Sequence, residues 1–144
     1  MEVKIINKSN NELPKYETIG SAGMDIRAYL PDGNIVLKPL ERKIIPTGLY
    51  VSIPEGYEIQ IRARSGLALK HGLSLPNGIG TIDSDYRGEL GVILVNLSNE
   101  DYTIKSGEKI AQMVLAKYEK IEFKITNELD ETQRGEGGYG HTGY

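Results

Sequence analysis

A period of two in hydrophobicity constrains this chain more than any other feature. Tyr57, Ile59, Ile61 and Ala63 alternate with Glu58, Gln60, Arg62 and Arg64, so an extended segment here turns apolar side chains to one face and polar ones to the other. Similar short runs recur at Val3 to Ile6, Met24 to Tyr29, Ile35 to Leu37, Lys43 to Pro46, Leu49 to Ile53, Leu73 to Leu75, Thr103 to Ile104, Lys109 to Tyr118 and Ile121 to Ile125. Pro31-Asp32-Gly33, Pro54-Glu55-Gly56, Pro76-Asn77-Gly78 and Ser106-Gly107-Glu108 punctuate them with turn chemistry. Helical periodicity is nearly absent; only Gly66 to Lys70 and Glu128 to Thr132 leave room for a helical turn or two. Many short strands with little helix predict an all-β fold, a sandwich or a jelly-roll-like β-barrel.

One run departs from the half-buried pattern. Val92, Ile93, Leu94, Val95 and Leu97 are apolar on both faces of any strand they form, so both faces must be covered, by the rest of the domain or by a symmetric partner. The 144 residues suit a single core. Gly135, Gly137, Gly138, Gly140 and Gly143 crowd the end of the chain, which divides it into a β-barrel core, residues 1–126, and a flexible glycine-rich C-terminal arm, residues 127–144.

Charge and composition narrow the function classes. A net charge of −3 gives no general attraction to nucleic acid or to an anionic membrane. No apolar run approaches the roughly 20 residues of a membrane span. Met1 to Asn10 lacks the continuous apolar stretch of a secretory signal, and a cytoplasmic protein with neither nucleic-acid nor membrane partners is expected. The absence of cysteine excludes disulfides, thiolate metal sites and cysteine nucleophiles, and two histidines, His71 and His141, are too few for a histidine-based zinc site without carboxylate help.

Three segments carry candidate chemistry. From Ile59 to Leu75 there are Arg62, Arg64 and Lys70 and no acidic residue, so this stretch can hold a compact anion; Arg64-Ser65-Gly66 at its turn supplies a guanidinium, a hydroxyl and accessible backbone N–H groups. A solvated strand end is the plainer alternative. Asn77 to Glu89 gathers Asp83, Asp85 and Glu89 around a hairpin whose glycines at 78, 80 and 88 allow close approach of a ligand. Such carboxylates act as general bases, bind metals or merely cap turns. In the tail, Tyr139 stands among glycines, with Arg134 before it and His141 and Thr142 after it, a set able to fold over a nucleotide with the ring on a base and the cations on phosphates. The plain reading of the tail is a disordered terminus.

In this order the segments resemble the trimeric dUTPase family over essentially the whole chain. The first motif is Ala22-Gly23-Met24-Asp25-Ile26-Arg27-Ala28 and the second Arg64-Ser65-Gly66-Leu67-Ala68. The third is Gly80-Thr81-Ile82-Asp83-Ser84-Asp85-Tyr86-Arg87-Gly88, with Asn77 ahead of it. Gly107-Glu108-Lys109-Ile110-Ala111-Gln112 is similar to the fourth, and Arg134 to Gly143 to the fifth.

The resemblance implies a dUTPase-like β-clip and hydrolysis of dUTP to dUMP and pyrophosphate with Mg2+ on the triphosphate. It implies that Asp83 activates the water that attacks the α-phosphorus and that Asp25 serves the metal through coordinated water, since Mg2+ gives up its hydration shell reluctantly. Arg64, Ser65, Gly66 and Gln112 match phosphate-contacting positions. Asn77 and the backbone of the hairpin through Thr81 and Ile82 match the uracil site, and Tyr86 matches the tyrosine that excludes a 2′-hydroxyl. Arg134, Gly138, Tyr139, Gly140, His141 and Thr142 match the closing arm, with Tyr139 where phenylalanine is usual and His141 where serine is more common. The family shares each site among three chains of a homotrimer. A dCTP deaminase of the same fold is the nearest alternative, although it has no need of the arginine-glycine-aromatic tail. A nonenzymatic nucleotide-binding β-sandwich is the other, and it has no use for a carboxylate aimed at the α-phosphate.

Overall fold

Most of the alternating runs find a neighbour and become strands. The computed structural model describes residues 1–141 and 143. Its strands are β1 (Lys4–Asn7), β2 (Met24–Arg27), β3 (Ile35–Leu37), β4 (Arg42–Pro46), β5 (Leu49–Ser52), β6 (Tyr57–Arg62), β7 (Leu73–Ser74), β8 (Gly80–Ile82), β9 (Gly91–Asn96), β10 (Tyr102–Ile104) and β11 (Lys109–Lys117), with one helix, α1 (Ser65–His71), between β6 and β7. They form a four-stranded sheet in the order β2-β11-β6-β8, a three-stranded sheet β4-β9-β7, and the pairs β1-β5 and β10-β3. Every pairing is antiparallel. The all-β, jelly-roll-like expectation with little helix is met, but the hydrogen-bond ladder is broken into four sheets and does not close into one continuous barrel.

The inward residues of these sheets meet in one core that includes Ile26, Leu37, Ile45, Ile59, Ile61, Leu94, Ile104 and Ile110. Each fully buried Leu or Ile contributes about 1.5–3 kcal/mol relative to exposure. On β6 the alternation reads directly as burial: Ile59 and Ile61 face the core while Arg62 is exposed. Asn96 is wholly buried, and its amide donates to the carbonyls of Leu37 at 2.9 Å and Glu100 at 2.7 Å while its oxygen accepts from Ser98 N–H at 2.9 Å. A buried amide satisfied in this way fixes the turn between β9 and β10.

Two local expectations differ from the structure, and a third is met only in part by this chain. Ile121 to Ile125 forms no strand: after Tyr118 N–H donates to Gly56 the backbone finds no ladder partner among the described residues, and Ile121, Phe123 and Ile125 stand 73%, 85% and 97% exposed. Alternation specifies a face, and a strand also needs an edge to pair with. Glu128 to Thr132 forms no helix, because an exposed five-residue segment cannot repay helix nucleation without packing. In β9, Val92, Leu94 and Val95 are buried, but Ile93 is only half-buried and Leu97 lies beyond the strand, 60% exposed. The outer face of β9 is therefore only partly covered by this chain.

Candidate active site

Strand register brings three of the motifs together. Asp25 on β2 pairs with Gln112 on β11, and Gln112 pairs with Arg62 on β6. Directly opposed residues share a face of a sheet, so these three polar side chains form a row whose opposite face is the core row of Met24, Met113 and Ile61. Gln112 lies close over Gly23, where a Cβ would meet its Oε1 at 2.5 Å, so a side chain there would have to displace the Gln112 amide. Gln112 also donates to the Ala63 carbonyl at 3.4 Å.

Arg64 follows β6 in an extended conformation and is the residue that precedes α1. Its Nε donates to Asp25 Oδ1 at 2.9 Å and its Nη1 to the main-chain oxygen of Lys109 at 3.2 Å. Lys109 Nζ lies 2.9 Å from Asp25 Oδ2, so both carboxylate oxygens meet a cation, and the same ammonium contacts Glu17 Oε1 at 3.3 Å. Burial alone would push the Asp25 carboxyl up; the Lys109 hydrogen bond, together with the Arg64 and Lys109 charges, outweighs it and holds the group below its ordinary value. Ser65 and Gly66 open the first turn of α1, where backbone N–H groups have no intrahelical acceptor. Beyond its own turn of helix and its chain neighbours, no atom lies within 4 Å of a Cβ placed on Gly66, which leaves this turn open to a ligand.

The hairpin of the third motif is built by different contacts. Asn77 sits in the turn before β8, with its Nδ2 against Gly80. Thr81 pairs with Gln60 and is exposed, whereas Ile82 pairs with Ile59 and is half-buried. Asp83 follows at the strand end in a polar cleft of about 530 Å³, whose lining includes Glu55, Asp85, Arg87, Tyr118 and Lys120. Tyr86 folds its ring over Gly88, where a Cβ would come within 2.3 Å of the phenol oxygen, and its hydroxyl donates to the Glu89 carbonyl at 3.0 Å. Arg87 braces the turn by donating to the carbonyls of Ser84 at 2.7 Å and Tyr86 at 2.8 Å. Glu89 accepts from Gly48 N–H at 2.8 Å, which is the capping use of a hairpin carboxylate.

The two halves do not meet within one chain. Ile82 pairs with Ile59, so Asp83 is level with Glu58, six residues from Arg64 along the same strand, or roughly 20 Å at about 3.3 Å per residue. The arm is also apart. Its hydrogen bonds from Thr126 onward are local among the described residues, including Arg134 Nε to the Gly137 carbonyl at 2.7 Å and His141 N–H to the Gly138 carbonyl. Tyr139 is fully exposed at a φ of 48°, between Gly138 and Gly140. Thr142 lies outside the described residues.

Glu17 and Lys109 complete the charge array around Asp25, and neither was singled out from sequence. Their pairing spans 92 positions, which no local pattern reports; the only available signal was the place of Lys109 inside the fourth motif. Glu108 of that motif is occupied elsewhere, accepting a hydrogen bond from the Tyr102 hydroxyl. Burial first, then the Glu108 hydrogen bond and charge, push that hydroxyl's pKa up.

No helix among the described residues is long and apolar enough to cross a membrane. The dUTPase family model matches residues 9–143. A deoxyuridine 5'-triphosphate nucleotidohydrolase of Finegoldia magna is 68% identical over 144 residues, covering 100% of both chains. That of Fusobacterium nucleatum is 63% identical over 143 residues, covering 99% of this chain and 97% of its own. Among solved structures, Staphylococcus bacteriophage 80alpha dUTPase with dUPNHPP has a TM-score of 0.88 at 28% identity, covering 99% of each chain. A dUTPase from phage phi11 of S. aureus, in which the coordination of a structural Mg(II) ion was described, has a TM-score of 0.80 at 26% identity, covering 91% of this chain and 100% of that one. With the motif order, the sheet that gathers three of those motifs and matches spanning the full length, the chain belongs to the dUTPase family.

Proposed function

We propose that this protein is a dUTP diphosphatase that converts dUTP to dUMP and pyrophosphate in the cytoplasm, as a homotrimer whose sites are shared between chains. The observation that carries the reading is the convergence of Asp25 on β2, Gln112 on β11 and Arg64 just past the end of β6 beside the open first turn of α1. Arg64, Gln112 and the Ser65 and Gly66 amides are donors suited to phosphate oxygens. Asn77 with the backbone through Thr81 and Ile82 reads the uracil edge; cytosine would set donor against donor and leave buried groups unpaired. Tyr86, held over Gly88, fills the space that a 2′-hydroxyl needs.

The chemistry is a displacement at the α-phosphorus. Asp83 accepts a proton from water as the water oxygen bonds to phosphorus, and the bond to the β-phosphate bridging oxygen breaks to release pyrophosphate. Such reactions depend mainly on alignment and charge neutralisation. The arm, residues 127–144, closes with Tyr139 on the base and Arg134 and His141 toward the phosphates, with Gly138, Gly140 and Thr142 shaping its path.

Mg2+ fits this arrangement as a guest of the triphosphate. No group of three or more His, Asp or Glu side chains among the described residues could cage a metal ion. Asp25 has both oxygens paired with cations but retains lone pairs for a metal-bound water, so it would hold the ion at second hand. Bound there, Mg2+ would neutralise charge on the phosphates.

The separation of Asp83 from Arg64 and the partly covered outer face of β9 support shared sites in an oligomer. Pyrophosphate release from dUTP, dTTP, dCTP and UTP, each with and without Mg2+, tests the reading. Release from dUTP alone, stimulated by Mg2+, is expected; ammonia released from dCTP would replace it with a deaminase, and turnover of none of the four would leave a binding module.

A further inference from the structure

We propose that Lys109, held in turn by Glu17, is a positioning residue that fixes the Arg64 guanidinium for phosphate binding. The inference rests on the reading of Arg64 as a phosphate ligand. Lys109 restrains Arg64 twice. Its ammonium grips Asp25 Oδ2 at 2.9 Å while Arg64 Nε grips Oδ1 at 2.9 Å, so the carboxylate cannot rotate away from the arginine without breaking the lysine contact. Its main-chain oxygen accepts directly from Arg64 Nη1 at 3.2 Å. That second contact depends on a bulge: the β2-β11 register shifts between Lys109 and Ala111, and a bulge takes backbone groups out of the ladder and re-aims them.

The donor count distinguishes positioning from direct substrate contact. Arg64 has five N–H donors, of which these two bonds engage Nε and Nη1 and leave the rest of the fork for a ligand. Lys109 is in the opposite condition, since its Nζ already lies between two carboxylates, those of Asp25 and Glu17. Charge balance points the same way. Glu17, Lys109, Asp25 and Arg64 alternate in sign and sum to zero, whereas removal of the lysine leaves a net negative array where a triphosphate must approach. Glu17 belongs to none of the five motifs, and through it the loop ahead of β2 is tied to the phosphate site.

The test uses the full-length assembled enzyme as Lys109→Met, Lys109→Arg and Glu17→Ala, with two readouts. One is the exchange rate of the Arg64 Nε–H proton by 15N NMR without ligand, assigned through Arg64→Lys. The other is kcat and KM for dUTP. In Lys109→Met the proton is expected to exchange at least about tenfold faster and kcat/KM to fall about tenfold, the factor carried by one charge-assisted hydrogen bond. Lys109→Arg should restore most of both. A slow Arg64 proton in Lys109→Met, even with impaired turnover, would overturn the proposal, because the lysine would then act on substrate or fold by another route. Should that variant fail to fold, Glu17→Ala decides, since it alters only an exposed partner; unchanged Arg64 exchange there would refute the relay. The NMR arm needs no substrate, so absence of dUTP turnover in the unmodified protein would sink the functional reading and leave the clamp to be judged separately.

Discussion

Two inactive variants should restore each other. Asp83 and Arg64 are about six strand residues apart on one chain, roughly 20 Å, whereas reacting groups must come within about 3–3.5 Å of alignment. In the proposed shared site, Asp83 and Arg64 therefore come from different chains. Asp83→Asn removes the proposed proton acceptor and Arg64→Ala the proposed phosphate ligand, so each homotrimer is expected to be nearly inactive. When equal amounts are unfolded in urea and refolded together, each position in a site is filled by a competent chain half of the time. With random assortment in a closed cyclic oligomer, about one quarter of the sites receive both intact groups. The initial rate of pyrophosphate release at saturating dUTP and Mg2+ should reach about a quarter of the unmodified enzyme's rate, as that site count requires. Variants refolded separately and then mixed without exchange supply the baseline. A co-refolded pool no more active than that baseline, with mixed trimers verified by native mass spectrometry, would refute the shared site, because sites contained in single chains can never gain both groups.

Other perturbations probe the remaining parts. Truncation before Arg134 should leave a folded trimer by sizing while kcat/KM for dUTP falls at least about a hundredfold, since the arm's hydrogen bonds are local and its proposed role is closure; loss of the trimer would contradict this. Tyr86→Ala should raise turnover of UTP relative to dUTP, as the ring would no longer fill the proposed ribose position, and an unchanged ratio in competition assays would show that the sugar is sensed elsewhere. For Asp25 the folded-state pKa is depressed below the ordinary 3.8, so its stabilisation is fully present above that value and is lost as pH falls through the folded pKa. In urea melts Asp25→Asn should cost about 1–2 kcal/mol near pH 7, a charge-assisted contact discounted for partial exposure; the gap should close below pH 3.8, and a gap that widened with acid would reverse the assigned sign.

What was legible in the sequence is what depends on near neighbours. The alternation of Tyr57 to Arg64 reports its own burial, and β6 is found with Ile59 and Ile61 inside. The Gly66 to Lys70 turn is found as α1, ended by Gly72 in a left-handed conformation whose N–H caps the Ala68 carbonyl. Ile121 to Ile125 has the same alternation and no strand, because pairing depends on a free edge elsewhere and the period carries no record of one. The role of Asp25 was legible only in kind. The family resemblance implies a metal served through water, and the structure adds that both of its oxygens meet Arg64 and Lys109, partners 39 and 84 positions away that only the sheet register brings close.

The same limit explains why one chain of this fold leaves its work unfinished in two places. In β9 the inward residues are buried by the chain's own core, but Ile93 is half-buried, and Ile44, which faces it across the β4-β9 ladder, is 66% exposed. Apolar surface of this kind on a central strand has no local remedy, because turning it inward would turn Val92 and Leu94 out. Asp83 and Arg64 have no local remedy either, because a strand is stiff and both are tied to β6, one through the β8 ladder and the other in sequence. The proposed cyclic association would relieve both at once: it would cover the outer face of β9 and bring the hairpin of one subunit against the proposed phosphate cradle of another. In the proposed trimer the drive to bury that face and the assembly of the catalytic group are therefore one event, and the sites form only as the subunits do.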